Sequence, residues 1–154
     1  MLKLAVPGAL CAALFAAGCT PTYVAPREGP MAQVSLARGA LEDSEHAKLM
    51  VSDAQWSRRA DITGGLLFTY NKPSTIPAGA PIYFELQTLR YAGTTELYCG
   101  AHFAFVPETG HSYAVAPDTH SGRACTATVT DQATGQTPAS FVVLPVGPDW
   151  RPAD

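Results

Sequence analysis

The chain has 154 residues, a formal net charge of −3 and hydrophobic residues at 47% of its positions, which suits one folded domain with a core of its own. This mild acidity excludes the clustered basic face of nucleic-acid-binding proteins and the polybasic patch that anionic lipids attract, so no nucleic-acid partner is expected. The 13 prolines and 13 glycines divide the chain into many short elements and argue against long helices.

Residues 1–18 have the three zones of a secretory signal peptide. Lys3 supplies the cation, an apolar stretch covers residues 4–17, and small residues precede a possible cleavage site. The stretch is too short to cross a bilayer, which takes about 20 apolar residues, and Pro7 and Gly8 interrupt it. We therefore expect this segment to be removed on export.

The signal ends at Ala16-Ala17-Gly18-Cys19, which resembles the lipobox of bacterial lipoproteins. In that family small residues fit a narrow peptidase site and the cysteine thiol takes a diacylglycerol, although leucine is usual where this chain has Ala16. The resemblance implies a lipid on Cys19. It also implies the outer membrane, because Thr20 replaces the aspartate that often marks inner-membrane retention. The alternative is an ordinary signal that leaves Cys19 as a free thiol.

Residues 19–30 are predicted to be the lipidated cysteine and an extended tether, since they carry three prolines and no apolar periodicity. Each buried acyl methylene contributes about 0.8 kcal/mol, so two or three acyl chains would hold the protein firmly on its membrane. Residues 31–145 are predicted to be the folded domain, facing the periplasm, and residues 146–154 a loose tail.

The folded domain shows the pattern of short β-strands separated by turns. Residues 82–87 alternate between apolar and polar side chains, and residues 97–106 repeat this alternation. About seven such strands predict an all-β fold, a two-sheet β-sandwich of immunoglobulin-like or similar type. Residues 39–50 could be helical, although residues 48–53 could equally be a strand.

The four cysteines are all accounted for by an export model. Cys11 leaves with the signal and Cys19 carries the lipid, so Cys99 and Cys125 are the thiols of the folded domain. Alternation places both on inward faces, and an oxidising periplasm pairs such thiols by default. We predict a disulfide between them that stabilises the fold by about 3 kcal/mol. Buried free thiols or metal ligands are the alternative.

Part of the C-terminal half, residues 105–113 with Cys125 and residues 131–135, resembles several small, uncharacterised proteobacterial outer-membrane lipoproteins. The shared pattern is an aromatic residue, a turn with glycine, a tyrosine, a cysteine and a D-x-x-x-G hairpin. The resemblance implies a fold and a location but no activity.

Catalytic signature motifs are missing from the sequence. It contains no phosphate-binding glycine loop, no G-x-S-x-G elbow, no H-E-x-x-H pair and no C-x-x-C, so the protein is predicted not to be an enzyme and to need no cofactor. A hydrolytic triad could be drawn from Ser121, His120 or His111, and Asp118. Such sets arise by chance, because a triad is defined by geometry and not by nearness in sequence.

Three histidines are the best remaining candidates for chemistry. If neighbouring strands bring His102, His111 and His120 together, their imidazoles could hold zinc or copper. Their spacing is not a ligand motif, however, and histidines on polar strand faces are far commoner.

Four tyrosines offer a second possibility. Tyr83, Tyr91, Tyr98 and Tyr113 could place their rings on one outward sheet face, which would suit stacking on a sugar or a peptide. The plainer explanation is that tyrosine packs well on half-exposed strands.

The sequence as a whole predicts a membrane-anchored, non-catalytic binding or structural module of the cell envelope. Its partner would be an envelope protein or peptidoglycan. The alternative is a metal-binding or ligand-scavenging lipoprotein that uses its surface histidines.

Overall fold

The computed structural model describes four ranges of the chain: residues 20–38, 45–63, 70–118 and 126–147. Residues 1–19, with the expected signal peptide and Cys19, residues 119–125, with His120, Ser121 and Cys125, and residues 148–154 lie outside these described residues. Within them the regular secondary structure is entirely β-strand. A helix of the length and apolarity needed to span a bilayer is not found among them.

Nine strands occur in the described ranges. They are β1 (Met31–Leu36), β2 (Glu45–Ser52), β3 (Arg59–Asp61), β4 (Ser74–Pro77), β5 (Ile82–Ala92), β6 (Thr95–Phe105), β7 (Ser112–Asp118), β8 (Thr126–Asp131) and β9 (Val142–Leu144). One sheet has the order β4-β1-β7-β8 and the other the order β3-β2-β5-β6-β9. The predicted all-β, two-sheet class is confirmed. The strands exceed the expected seven because β3 and β4 have only three and four residues, too few to show a pattern.

Strand β2 settles the open choice between helix and strand for residues 45–52, while residues 39–44 of the candidate helix lie outside the described residues. Its eight residues pair with β5 over their whole length, from Glu45 opposite Arg90 to Ser52 opposite Tyr83. Its backbone polar groups are therefore satisfied by a ladder rather than by a helical turn.

The hydrophobic core contains side chains of both sheets, so the two sheets share one apolar interior, as in a sandwich. The four-stranded sheet contributes Val34, Val115 and Val129, all with no exposed surface. From the other sheet, the ring of Phe84 stacks between those of Phe103 and Phe105, with centroids 5.3 Å away in each case. The predicted inward row of β5 is confirmed, since Ile82, Phe84 and Leu86 are all buried.

The β5–β6 hairpin extends beyond this core. Leu97 shares the face of Ala101, Phe103 and Phe105, as alternation predicts, but those three are buried whereas Leu97 is 44% exposed. Cys99 is half-buried at the boundary. The reason is length: β5 and β6 have 11 residues each, whereas the longest strand described in the facing sheet has seven.

The segment before β1 is attached to the domain at β3. Thr22 forms a parallel bridge with Asp61, and two backbone hydrogen bonds of 2.9 Å flank it, from Tyr23 N to Asp61 O and from Asp61 N to Pro21 O. Tyr23 also packs against the core. Part of the segment predicted to be a tether therefore lies along the edge of the five-stranded sheet.

Candidate functional site

The outer face of the five-stranded sheet carries the candidate site. Side chains alternate across a strand, so residues that share this face form cross-strand rows on β2, β5 and β6. The rows are Ser52-Tyr83-Ala104, Met50-Glu85-His102, Lys48-Gln87-Gly100, His46-Leu89-Tyr98 and, beyond the start of β2, Tyr91-Glu96. We call the first two rows the covered half and the last three the open half.

A buried carboxylate lies at the centre of the covered half. Glu85 has no exposed surface, and Arg59 Nε lies 3.0 Å from its Oε2 atom. Gln87 Nε2 donates a 2.9 Å hydrogen bond to the other carboxylate oxygen, and His102 Nε2 lies 3.5 Å from Oε2. Burying a charge is very costly unless it is paired, so Arg59 is what makes the position of Glu85 tolerable.

Trp56 covers the covered half on its solvent side. Its ring stacks on that of His102 with centroids 3.8 Å apart and planes 12° apart, and it meets Tyr83 edge-on at 6.1 Å. Asp53 fixes the turn that carries the tryptophan, because its carboxylate accepts hydrogen bonds from Ser57 N at 2.8 Å and Ser57 Oγ at 2.6 Å. The hydroxyl of Ser57 is the main reason why the pKa of Asp53 lies well below its ordinary value. The side chains of Glu85 and His102 beneath Trp56 are therefore shut away from solvent.

The open half contains a shallow groove of about 140 Å³. Leu89 lies in the middle row between His46 on β2 and Tyr98 on β6, and Lys48 and Gln87 lie beside them. Gly100, which has no side chain, leaves the β6 side of the Lys48 row open. The result is an apolar floor with a cation at one side and an aromatic ring at the other.

Two exposed tyrosines flank this groove. Tyr91 is 46% exposed and Tyr98 is 47% exposed, and the Tyr98 hydroxyl donates a 2.9 Å hydrogen bond to Glu96. The His46 ring meets the Tyr91 ring edge-on at 6.3 Å. Large exposed rings held on paired strands are available for stacking against a ligand.

The predicted tyrosine face is correct in part. Tyr83, Tyr91 and Tyr98 do share the outer face, although Trp56 packs against Tyr83. The prediction for Tyr113 is wrong, because this residue is 2% exposed and its ring packs on Phe105 at 4.9 Å. The inward side chains of β7 are Tyr113, Val115 and Pro117, so the tyrosine belongs to the core.

Two of the three candidate metal-binding histidines, His102 and His111, have separate surroundings. His102 is 4% exposed and lies under Trp56, so it is not the surface histidine that the sequence suggested. His111 precedes β7 in the other sheet and contacts acidic side chains there, and His120 lies outside the described residues. Among the residues that the structure describes, no group of three potential ligands is close enough to hold a metal.

His111 belongs to a second charged cluster, at the start of β7. Its Nδ1 atom is hydrogen-bonded to Asp131 Oδ2 at 2.7 Å, and its Nε2 atom lies 3.6 Å from Glu108 Oε2. The hydrogen bond to Asp131 raises the pKa of His111 above its ordinary value, and it lowers the pKa of Asp131. This cluster links the β6–β7 turn to the end of β8.

We expect the His111–Asp131 bridge to make stability pH-dependent. His111 has a raised pKa, so its contribution is complete below the ordinary value of 6.5 and is lost as the pH rises through the raised value. Asp131 has a lowered pKa, so its contribution is present above the ordinary value of 3.8 and is lost as the pH falls through the lowered one. Urea denaturation of wild type and His111→Gln should differ most between these two ordinary values.

The control for this prediction is the Asp131→Asn background. Asparagine keeps an oxygen for the 2.9 Å hydrogen bond from Ala133 N but removes the charge that His111 faces. The effect of His111→Gln should then lose most of its dependence on pH. A difference between wild type and His111→Gln that stays constant from pH 5 to pH 9 would contradict the bridge.

The cysteine predictions are not tested by the described residues. Cys99 lies at the Thr88 position of the β5–β6 ladder, on the face that includes Phe103. Cys125 and Cys19 lie outside the described residues. The disulfide and the lipid therefore stay predictions.

Sequence patterns predicted the covered half only in part. Alternation placed Glu85 and Gln87 on the polar side of their strand, where exposure was the natural expectation, yet both are buried. Arg59 and Trp56 were not singled out at all. A usable signal was the presence of Tyr83 and Leu89 on the same side as the two polar residues, since apolar side chains on a polar face often mark a covered or binding surface.

Comparison with known proteins adds no functional assignment to this face. The chain matches no protein-family model, no curated protein and no solved structure. The functional interpretation therefore depends on the geometry described above, in which a closed polar cluster lies beside an open groove with exposed tyrosines.

Proposed function

We propose that the protein is a lipid-anchored lipoprotein of the bacterial outer membrane whose periplasm-facing domain is a non-catalytic binding module. More specifically, its binding surface is the open half of the outer face. One observation carries this proposal. Two tyrosine rings, Tyr91 with 46% and Tyr98 with 47% of its surface exposed, lie beside the groove that Leu89 lines.

The position of the open half supports a binding role. Exposed apolar side chains that cluster, rather than being scattered singly, are typical of interaction sites, and aromatic residues are enriched in such sites. Here Leu89 and Tyr91 lie on β5 and Tyr98 lies on β6, and these two strands pair along their whole length. A site on paired strands keeps its geometry better than one on loops.

The burial of the covered half supports the non-catalytic part of this proposal. Glu85 and His102 are the carboxylate and the imidazole of the covered half, and both are at least 96% buried. A general acid or base must reach a proton of the substrate within hydrogen-bonding distance. With Trp56 stacked on His102, no substrate reaches either group in this conformation.

The finer assignments are part of the same proposal. Cys19 carries the lipid, as the Ala16-Ala17-Gly18-Cys19 segment suggests, and Cys99 pairs with Cys125 as the two thiols left after export. The sandwich-like fold is then of immunoglobulin-like or similar type. Mass spectrometry of the membrane fraction tests these points, since an unmodified thiol at Cys19 or an intact leader would contradict the anchor.

The decisive experiment is site-specific photocrosslinking in intact cells. A photoreactive amino acid in place of Tyr91 should capture a defined envelope component. The matched control is the same amino acid at Thr128, an exposed position of the four-stranded sheet. Capture at Tyr91 and not at Thr128 supports the proposal, whereas equal capture at both positions, or none at Tyr91, overturns it.

A further inference from the structure

We propose that the open half binds a saccharide that carries a carboxylate, with Lys48 receiving the carboxylate and Tyr98 stacking on the sugar ring. This inference rests on the proposed function and names the ligand class for the same surface. It requires an uncompensated cation, a stacking ring and a groove of suitable size, and each of these is present on the outer face.

The cation is Lys48. Its ammonium group has no ion pair among the residues that the structure describes, and its row neighbours, Gln87 and Gly100, carry no charge. Glu85 lies on the same face, but its carboxylate is paired with Arg59, whose Nε atom lies 3.0 Å from Oε2. A half-buried lysine that has no ion pair within the described part of the chain, and that lies beside an apolar floor, favours an anionic ligand, since charge complementarity suppresses wrong partners.

The acidic residue at the other end of the open half does not neutralise Lys48. Glu96 lies in the Tyr91 row, two rows beyond the Lys48 row, which corresponds to about 13 Å along the strand. Its carboxylate also accepts a 2.9 Å hydrogen bond from the Tyr98 hydroxyl. At that separation the two charges are largely screened from each other at physiological salt.

The stacking ring is Tyr98, with Tyr91 in the next row. An aromatic face held at the surface packs against the apolar C–H face of a pyranose ring, and the tyrosine hydroxyl provides a polar edge. Gln87 adds directionality, because its Nε2 atom is committed to Glu85 at 2.9 Å and its amide oxygen is left as an acceptor for a ligand hydroxyl. Rings, an acceptor and a cation together match a polyhydroxylated anion.

The size and place of the groove favour a sugar unit over a peptide. Pockets for drug-sized molecules occupy roughly 300–1,000 Å³, whereas this groove has about 140 Å³ and is open to solvent, so it suits one ring of a longer chain. An extended peptide would instead add to a free sheet edge. The groove lies on the face of three strands that are already hydrogen-bonded to one another.

The test is a titration of the full mature chain in detergent, followed by the amide NMR signals of Lys48, Leu89 and Tyr98. N-acetylmuramic acid is compared with N-acetylglucosamine, which lacks its carboxylate, and glucuronic acid with glucose. We expect the acidic member of at least one pair to bind at least tenfold more tightly. The muramic pair would identify cell-wall glycan as the source, and the glucuronic pair an acidic polysaccharide.

Two variants separate the contributions of charge and ring. Lys48→Gln should weaken binding of the acidic sugar about tenfold, as loss of one charge-assisted hydrogen bond predicts, and should remove the preference over the neutral sugar. Tyr98→Ala should weaken binding of both sugars. Lys72→Gln is the matched control, since it removes the same charge at an exposed position outside the groove.

The outcomes also separate this inference from the proposed function. Equal binding of acidic and neutral sugars, no binding of either, or an unchanged preference in Lys48→Gln overturns the acidic saccharide. If photocrosslinking at Tyr91 then captures a protein, the proposed binding module is supported and only the proposed ligand class is wrong. If Tyr91 captures nothing either, both proposals fail.

Discussion

Replacing Phe84 with alanine is expected to lower the free energy of unfolding by about 3–5 kcal/mol, the usual cost of removing a buried aromatic side chain. Phe84 has no exposed surface, and its ring lies between Phe103 and Phe105 at 5.3 Å from each. The deletion therefore leaves a cavity at the centre of the interior that both sheets share. Urea denaturation at neutral pH measures the effect.

Two variants provide the controls for this prediction. Phe84→Leu keeps most of the apolar volume and should cost clearly less than the alanine variant. Leu97→Ala removes an apolar side chain that is 44% exposed, so its effect should be well below that of Phe84→Ala. A similar loss of stability for Phe84→Ala and Leu97→Ala would show that β5 is not the central strand of the core.

Replacing Glu85 with alanine is expected to destabilise the protein by about 3 kcal/mol, although its side chain faces away from the shared core. Removing one partner of a buried ion pair leaves the other without compensation. Here Arg59 loses a carboxylate 3.0 Å away, and Gln87 loses the acceptor of its hydrogen bond. Urea denaturation of Glu85→Ala and of wild type gives the difference.

The matched control is Glu96→Ala, which removes an exposed carboxylate from the same sheet face. Its cost should be within about 0.5 kcal/mol. In a double variant, Arg59→Leu with Glu85→Leu should recover part of the lost stability, because apolar side chains often replace a buried ion pair without loss. If Glu85→Ala costs no more than Glu96→Ala, the covered half is not a closed cluster.

The predictability of this fold depends on whether the information is local. Alternation on β5 correctly assigned the inward positions of Ile82, Phe84 and Leu86, because the two faces of a strand are set by its own pleat. Alternation also placed Leu97 on the face of Phe103, yet Leu97 is exposed. Its burial depends on how far the facing sheet extends, and no pattern within β6 encodes that length.

The candidate site was predictable to a similar extent. The shared face of Tyr91 and Tyr98 followed from alternation on two adjacent strands, and the structure confirms their common side. Lys48 was missed because the segment preceding residue 53 fitted both a helix and a strand. The burial of Glu85 was missed because its cover, Trp56, comes from a turn elsewhere in the chain, and long-range packing of this kind leaves no local signature.

If Cys19 carries a lipid, as proposed, the bridge between Thr22 and Asp61 would orient the domain at the bilayer. Pro21 accepts a hydrogen bond from Asp61 in β3, and only Thr20 lies between Pro21 and Cys19. An acyl group on Cys19 would therefore be attached at most about 7 Å along the chain from Pro21. That edge of the sheet would then lie near the lipid headgroups. Asp61 is level with Glu85 of β5 through Met50, and Tyr91 lies six residues further along β5, about 20 Å away. The proposed binding surface would therefore meet its ligand close to the membrane and not deep in the periplasm.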